Sequence, residues 1–228
     1  MKKLIIIVFV LAFAVAGCTT GNQVNNTTSP NKLNINTNKN NTNNTPMERM
    51  ISGQEDLASQ YKYATFVTNL GEFKLELYGD KAPVTVNNFM NLVKDDFYDN
   101  VKFHRVIKGF MIQAGDPLSK DDNMKNRWGT GGSGYNIPDE FVEGLSNVKG
   151  TISMANTGAP NSGGSQFFIN VGDNVMLDFN KQPLSSKHPV FGMVIEGLDV
   201  IEKIETTPTV VGDQPIDAVI IENIKLEN

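Results

Sequence analysis

Residues 103–116 read FHRVIKGFMIQAGD, and a Gly-rich stretch at 150–170 reads GTISMANTGAPNSGGSQFFIN. The first stretch contains two short apolar runs, Lys102 to Ile107 and Met111 to Ala114, separated by a Gly-containing turn; this is the pattern of short strands. Arg105 sits inside the first run. Arginine occurs at only three positions in the chain, Arg49, Arg105 and Arg127, while lysine is plentiful. A guanidinium beside an apolar floor is costly unless it is paired or used. Spacing alone leaves both readings open for Arg105, a salt bridge at the rim of a β structure or a functional cation.

Working outward, further short runs at Thr151 to Ala155, Gln166 to Val171 and Val190 to Val194 also read as strands. Tyr61 to Thr68 and Glu72 to Tyr78 alternate around Asn69-Leu70-Gly71 and read as a hairpin. Pro83 opens a helix with Val86, Phe89, Met90 and Val93 on one face. A second short helix is predicted at Leu198 to Ile204 and a closing strand at Ala218 to Leu226. Many short strands without regular β-then-helix alternation argue for a barrel or a sandwich.

The composition changes near residue 60. Lys2 and Lys3 precede an apolar run from Leu4 to Ala16, short of the ~20 residues that span a membrane. This describes a secretory signal covering residues 1–17. The segment Val15-Ala16-Gly17-Cys18 resembles the bacterial lipoprotein signal, and Cys18 is the only cysteine in the chain. The resemblance implies acylation of Cys18 with palmitate-type chains, which would anchor the protein to a cell membrane on its extracytoplasmic side. From Thr19 to Thr45 Asn and Thr dominate, so residues 18–60 are expected to form the lipidated cysteine and a solvated linker, with Met47 to Gln60 a candidate short helix. Residues 61–228 are then the folded domain, of a size that supports one core.

Several function classes fall away. A net charge of −5 with scattered lysines has no electrostatic footprint for nucleic acid. The two histidines, His104 and His188, have no second ligand at metal spacing, so no metal is expected. No G-x-S-x-G occurs, and the cysteine is committed to the anchor. Gly129 to Gly134 satisfies G-x-G-x-x-G, but Lys125-Asn126-Arg127 precede it where a strand should stand and Pro138 follows where a helix should run. It reads as a loop.

Together with Leu177-Asp178 and Lys187-His188-Pro189-Val190-Phe191-Gly192, the two long stretches resemble the signature segments of cyclophilins across nearly all of Tyr63 to Leu226. The resemblance implies a mainly β fold, a closed eight-stranded antiparallel barrel capped by two helices. It also implies cis/trans isomerisation of the bond before proline in exported proteins, with no cofactor and a monomeric state. Carried over by position, Arg105 is the catalytic residue. Phe110, Met111, Phe168 and Leu177 line the proline pocket; Gln113, Ala155, Asn156 and Gln166 bind the substrate backbone, and His188 closes the rim. His104 reads as structural support beside Arg105.

These residue types suit the chemistry. Rotation must break C–N resonance, a barrier of roughly 18–20 kcal/mol, whereas the X-Pro isomers differ by only about 0.5–1 kcal/mol. Neither a general base nor a nucleophile is required. Two departures stand out. Met176 occupies a position where many members carry Trp, which implies weakened cyclosporin binding, and Phe179 to Ser186 is longer than the usual connection before His188. The alternative to an enzyme is a chaperone or scaffold lipoprotein that holds Pro-containing segments with little turnover.

Overall fold

The computed structural model describes residues 52–182 and 187–228. The signal, Cys18 and the Asn/Thr tract lie outside the described residues. Segments whose hydrophobic side chains alternate become half-buried strands. β1 (Tyr63–Thr68) and β2 (Gly71–Leu77) form the expected hairpin, with Ala64, Phe66, Phe73, Leu75 and Leu77 turned inward. Then come α1 (Pro83–Lys94), β3 (Arg105–Ile107), β4 (Met111–Ala114), β5 (Thr151–Met154), β6 (Phe167–Asn170), β7 (Val190–Glu196), α2 (Leu198–Glu205) and β8 (Ile221–Glu227).

The strands form one eight-stranded antiparallel sheet in the order β3-β4-β6-β5-β7-β2-β1-β8. It curls into a half-barrel. Its edge strands, β3 and β8, are not joined by a ladder of the kind a fully closed barrel would show. Instead the chain just ahead of β3 meets the chain leading into β8 through one bridge, Lys102 with Ile220. Backbone bonds from Phe103 N to Val219 O (2.9 Å) and from Ile221 N to Val101 O (2.8 Å) flank it.

The concave side is filled by α1 and the inward residues of the sheet. Phe89 of α1 packs with ring centroids 5.3 Å from Tyr98, 5.7 Å from Phe191, 5.9 Å from Phe167 and 6.1 Å from Phe66. Val86, Phe89, Met90 and Val93 are all buried, as the helical spacing predicts. Pro at the first turn removes an N–H that would have no helical partner. The remaining free donors at that end, Val84 N and Thr85 N, are taken by the Glu140 carboxylate, whose negative charge also suits the helix N-terminus. At the other end of the sheet Gly197 (φ +78°) precedes α2, and a Cβ there would lie 2.7 Å from Phe73 Cα, so only glycine lets the turn sit this close to β2.

The segment ahead of β1, which the sequence places at the end of the linker, packs onto the domain. Leu57 is buried, and Asn87 Oδ1 of α1 accepts from Leu57 N (2.8 Å) and Ala58 N (3.2 Å). Asn91 and Glu55 exchange hydrogen bonds in the same way. Of the candidate helix at Met47 to Gln60, the described residues 52–60 form turns, with the backbone N–H groups of Glu55, Leu57 and Ala58 taken by the asparagines of α1. Residues 47–51 lie outside the described residues. Among the described residues no helix is long and apolar enough to cross a membrane.

Phe89→Ala should lower stability by about 3–5 kcal/mol, read as a fall in the urea midpoint with unchanged slope, because it empties the one position where α1 meets four other aromatic rings.

Candidate active site on the outer face of the sheet

β5 and β6 are buried on both faces, so their sequences lack alternation. The inner face contributes Ile152, Met154, Phe167 and Ile169 to the main core. The outer face carries a second, separate apolar cluster of Met111, Phe168 and Leu177, with Ile107, Phe110 and Ala155 packed against it. Register explains the grouping. Arg105 pairs with Gln113, Gln113 with Phe168 and Phe168 with Ser153, so these four side chains leave the sheet on the same side. One row along, Ile107, Met111 and Asn170 repeat the arrangement.

Of the predicted residues, Phe110, Met111, Ala155, Phe168 and Leu177 gather in this outer cluster, His188 meets its edge, and Gln113, Ala155, Asn156 and Gln166 line a neighbouring groove. Leu177 enters from a 3-10 turn at Val175–Leu177, and Val175 and Met176 stay exposed at the rim. His188 meets Phe168 edge-on with centroids 5.2 Å apart and planes at 82°. Its backbone N–H reaches Leu177 O (3.1 Å), and its Nδ1 lies 3.1 Å from Met154 O. Burial lowers the His188 pKa, with the Met154 carbonyl pulling the other way. Gln113 Nε2 donates to Gln166 Oε1 (2.9 Å), and Gln166 Nε2 donates to the carbonyls of Gly129 (3.0 Å) and Gly131 (2.8 Å). Ala155 N–H bonds Gln166 O, extending the β5–β6 ladder by one pair. Asn156 Nδ2 is bound to Lys187 O (2.7 Å), which ties the β5 end to the approach to His188. An open groove of about 640 Å³ continues from Gln113 and Gln166 between the Gly129–Asn136 loop and Ala155–Thr157.

Arg105 projects from the edge strand, with its side chain 44% exposed, and its Nε lies 3.4 Å from Asp213 Oδ2. The salt-bridge reading left open by spacing is therefore realised through Asp213, while register places Arg105 in the same cross-strand row as Gln113 and Phe168. The G-x-G-x-x-G segment is a loop, as predicted. Its Gly129 and Gly131 N–H groups are held by the fully buried Asp116 carboxylate, and a Cβ on Gly131 would meet Asp116 Oδ1 at 2.2 Å.

Other supporting residues, three of them inside the quoted stretches (Ser153, Asn170 and Asp178), gain their roles only from tertiary contacts. Beneath the hollow, Asp178 accepts from Asn147 N (2.7 Å), Asn147 Nδ2 (3.0 Å) and Ser146 Oγ (2.6 Å). Asn147 Oδ1 accepts from Ser153 Oγ (2.8 Å), and Asn174 Nδ2 donates to Phe110 O (2.7 Å) and Asn170 Oδ1 (2.7 Å). Single Asn and Asp residues in loops look like ordinary turn formers until the fold brings them together. Among the described residues no group of three or more His, Cys, Asp or Glu gathers to hold a metal ion.

His104, next to Arg105, points the other way. It is buried with neither ring nitrogen in good hydrogen-bond geometry, and burial lowers its pKa to about 4 despite the nearby Asp116 carboxylate and Lys102 backbone. It stays neutral at working pH and serves as packing beneath Gly129, whose Cβ position is 3.6 Å from the ring.

Against known proteins, the family described as cyclophilin type peptidyl-prolyl cis-trans isomerase/CLD matches residues 63–226. The chain is 45% identical over 142 residues to a peptidyl-prolyl cis-trans isomerase of Acinetobacter baylyi, covering 62% of this chain and 71% of that protein. It is 41% identical over 167 residues to peptidyl-prolyl cis-trans isomerase B of Escherichia coli, covering 70% and 96%. The crystal structure of a Cryptosporidium parvum cyclophilin type isomerase superposes with a TM-score of 0.65 at 32% identity, covering 74% of this chain and 98% of that one. A second structure of that protein, obtained with the dipeptide Ala-Pro present, gives 0.64 at 32% identity, covering 73% and 99%. The chain belongs to the cyclophilin-type peptidyl-prolyl cis-trans isomerases.

The buried His104 should make stability pH-dependent. Its pKa is lower folded (about 4) than unfolded (6.5), so the unfolded chain binds the extra proton between those values. The His104 contribution should be complete above pH 6.5 and lost as pH falls toward 4, by roughly 3 kcal/mol over the window. Urea midpoints at pH 7.5, 5.5 and 4.5 should show this decline, and His104→Gln should flatten it.

Proposed function

We propose that this chain accelerates X-Pro isomerisation in exported proteins at the cell envelope, with Arg105 hydrogen bonding to the prolyl nitrogen in the twisted transition state. The observation that carries the reading is the alignment of Arg105, Gln113 and Phe168 across three strands, beside the Met111–Phe168–Leu177 hollow. The hollow suits a pyrrolidine ring, which is apolar and compact. Phe110 and His188 border it, while Gln113, Ala155, Asn156 and Gln166 line the groove along which the flanking peptide would lie.

As the peptide bond twists, the prolyl nitrogen recovers its lone pair and becomes a hydrogen-bond acceptor. A guanidinium aimed there interacts with the transition state more strongly than with the planar ground state, which is the requirement for catalysis. Arginine keeps its charge at any working pH and holds a rigid donor fork, where lysine would present a mobile and strongly hydrated ammonium. Since no proton moves, a neutral buried His104 and a carboxylate-free hollow are compatible with full activity.

The envelope setting rests on the sequence. An apolar leader ending in Val15-Ala16-Gly17-Cys18 and an Asn/Thr tether would place a monomeric domain outside the membrane, facing newly exported chains. The exposed Met176 at the rim offers less flat aromatic surface than Trp, which supports weak cyclosporin binding.

Arg105→Ala should lower kcat/KM for a Pro-containing peptide by about 10²–10³-fold, with binding of the peptide retained. Equal rates for both proteins, neither above the uncatalysed reaction, would replace the enzyme reading with that of a Pro-segment binder. Separately, Cys18→Ser should abolish incorporation of labelled palmitate and release the protein from the membrane fraction; unchanged labelling would remove the anchor.

A further inference from the structure

We infer that Asp213 is a positioning residue that sets the direction of the Arg105 guanidinium. The inference rests on Arg105 acting as the donor to the prolyl nitrogen. Arg105 belongs to a three-residue edge strand, and its side chain is 44% exposed, so packing alone does not hold it. Arginine is long and rich in rotamers. Something must select the rotamer that faces the hollow.

Asp213 grips two successive residues of β3. Its backbone carbonyl accepts from Val106 N (2.8 Å), and its carboxylate Oδ2 lies 3.4 Å from Arg105 Nε. The first contact fixes where Asp213 sits along β3, and the second bears on the guanidinium. Among the described residues Nε makes the only protein hydrogen bond of that side chain, which leaves both terminal nitrogens available to the substrate. Arginine's donor fork is rigid and planar, so holding Nε restricts the directions in which the other donors point.

The loop that presents Asp213 is itself braced. Val210 N donates to Gln214 O (2.8 Å), Asp213 N to Val210 O (3.1 Å) and Ile216 N to Pro208 O (2.8 Å). Gln214 Nε2 donates to Lys125 O (3.1 Å), linking the loop to the segment before Trp128. Asp213 adopts φ +65°, a left-handed conformation that Asp tolerates better than most residues, immediately after Gly212 at φ +96°. This turn brings the carbonyl and the carboxylate of one residue to the same strand. With Asp213 43% exposed, water screens the pair, so its effect on rate comes from orientation more than from attraction.

The test measures X-Pro peptide isomerisation by the full chain in mild detergent. Asp213→Ala should lower kcat/KM roughly five- to tenfold, mainly through kcat, with a small fall in the urea midpoint because Ala fits φ +65° less well than Asp. Asp213→Asn, which keeps an acceptor for Nε, should recover most of the loss. In an Arg105→Lys background, which has no Nε, Asp213→Ala should change the rate less than about twofold. Nitrogen relaxation of the Arg105 Nε–H should show restricted motion in the wild type and freer motion in Asp213→Ala. Full activity of Asp213→Ala, an equal loss in the two backgrounds, no recovery in Asp213→Asn, or unaltered Nε mobility would each overturn the inference. Full activity of Arg105→Ala would instead remove the mechanism on which it rests.

Discussion

Gln113 pairs with Arg105 on one side and Phe168 on the other, and most of the site depends on this cross-strand register. Side chains alternate faces along a strand, so a slip of one residue between β3, β4 and β6 would exchange the two faces. Arg105, Met111 and Phe168 would then point into the concave side, where Val106, Ile112, Phe167 and Ile169 now pack. The main core prevents that exchange. Burying the guanidinium among phenylalanines would leave a charge without solvent or partner. Hydrophobic packing on one face of the sheet thereby places the Arg105–Gln113–Phe168 row on the other.

The outer face must be shaped as well as populated. Its hollow is walled by side chains from β3, β4, β6, a 3-10 turn and the approach to β7. The polar lattice of Asn147, Asp178, Ser153, Asn170 and Asn174 joins them from below, and its members are almost fully buried. Buried polar groups are tolerable when mutually satisfied, and then they specify geometry more tightly than apolar packing does. The Asp116 carboxylate plays the same part for the Gly129–Gly131 loop, which in turn receives the Gln166 amide that aligns Gln113.

This organisation fits a reaction in which no atom is transferred. A rotating amide calls for an apolar cup, peptide-like hydrogen bonds along a groove and one directed cation, all held still while the substrate turns. The side chains gathered here are of that kind, and the one histidine beside the arginine is kept neutral by burial. Membership of the cyclophilin-type isomerases gives the class of reaction, and the side chains gathered on this face are compatible with it.

By itself the sequence determined the strands, both helices and the family, because alternation in β1 and β2, the spaced apolar face of α1 and two long motifs are local properties of the chain. Through those motifs it also named Arg105, Phe110, Met111, Gln113, Phe168 and His188, which the fold brings to one face. Tertiary structure alone decided that β5 and β6 are covered on both faces, that the sheet edges meet by one bridge, and that residues 54–58 dock on α1. It alone also set Asp213 against Arg105 and Asp178 beneath the hollow. These pairings join residues far apart in the chain, and a lone Asp or Asn in a loop has no periodicity or spacing that reveals its partner before folding supplies it.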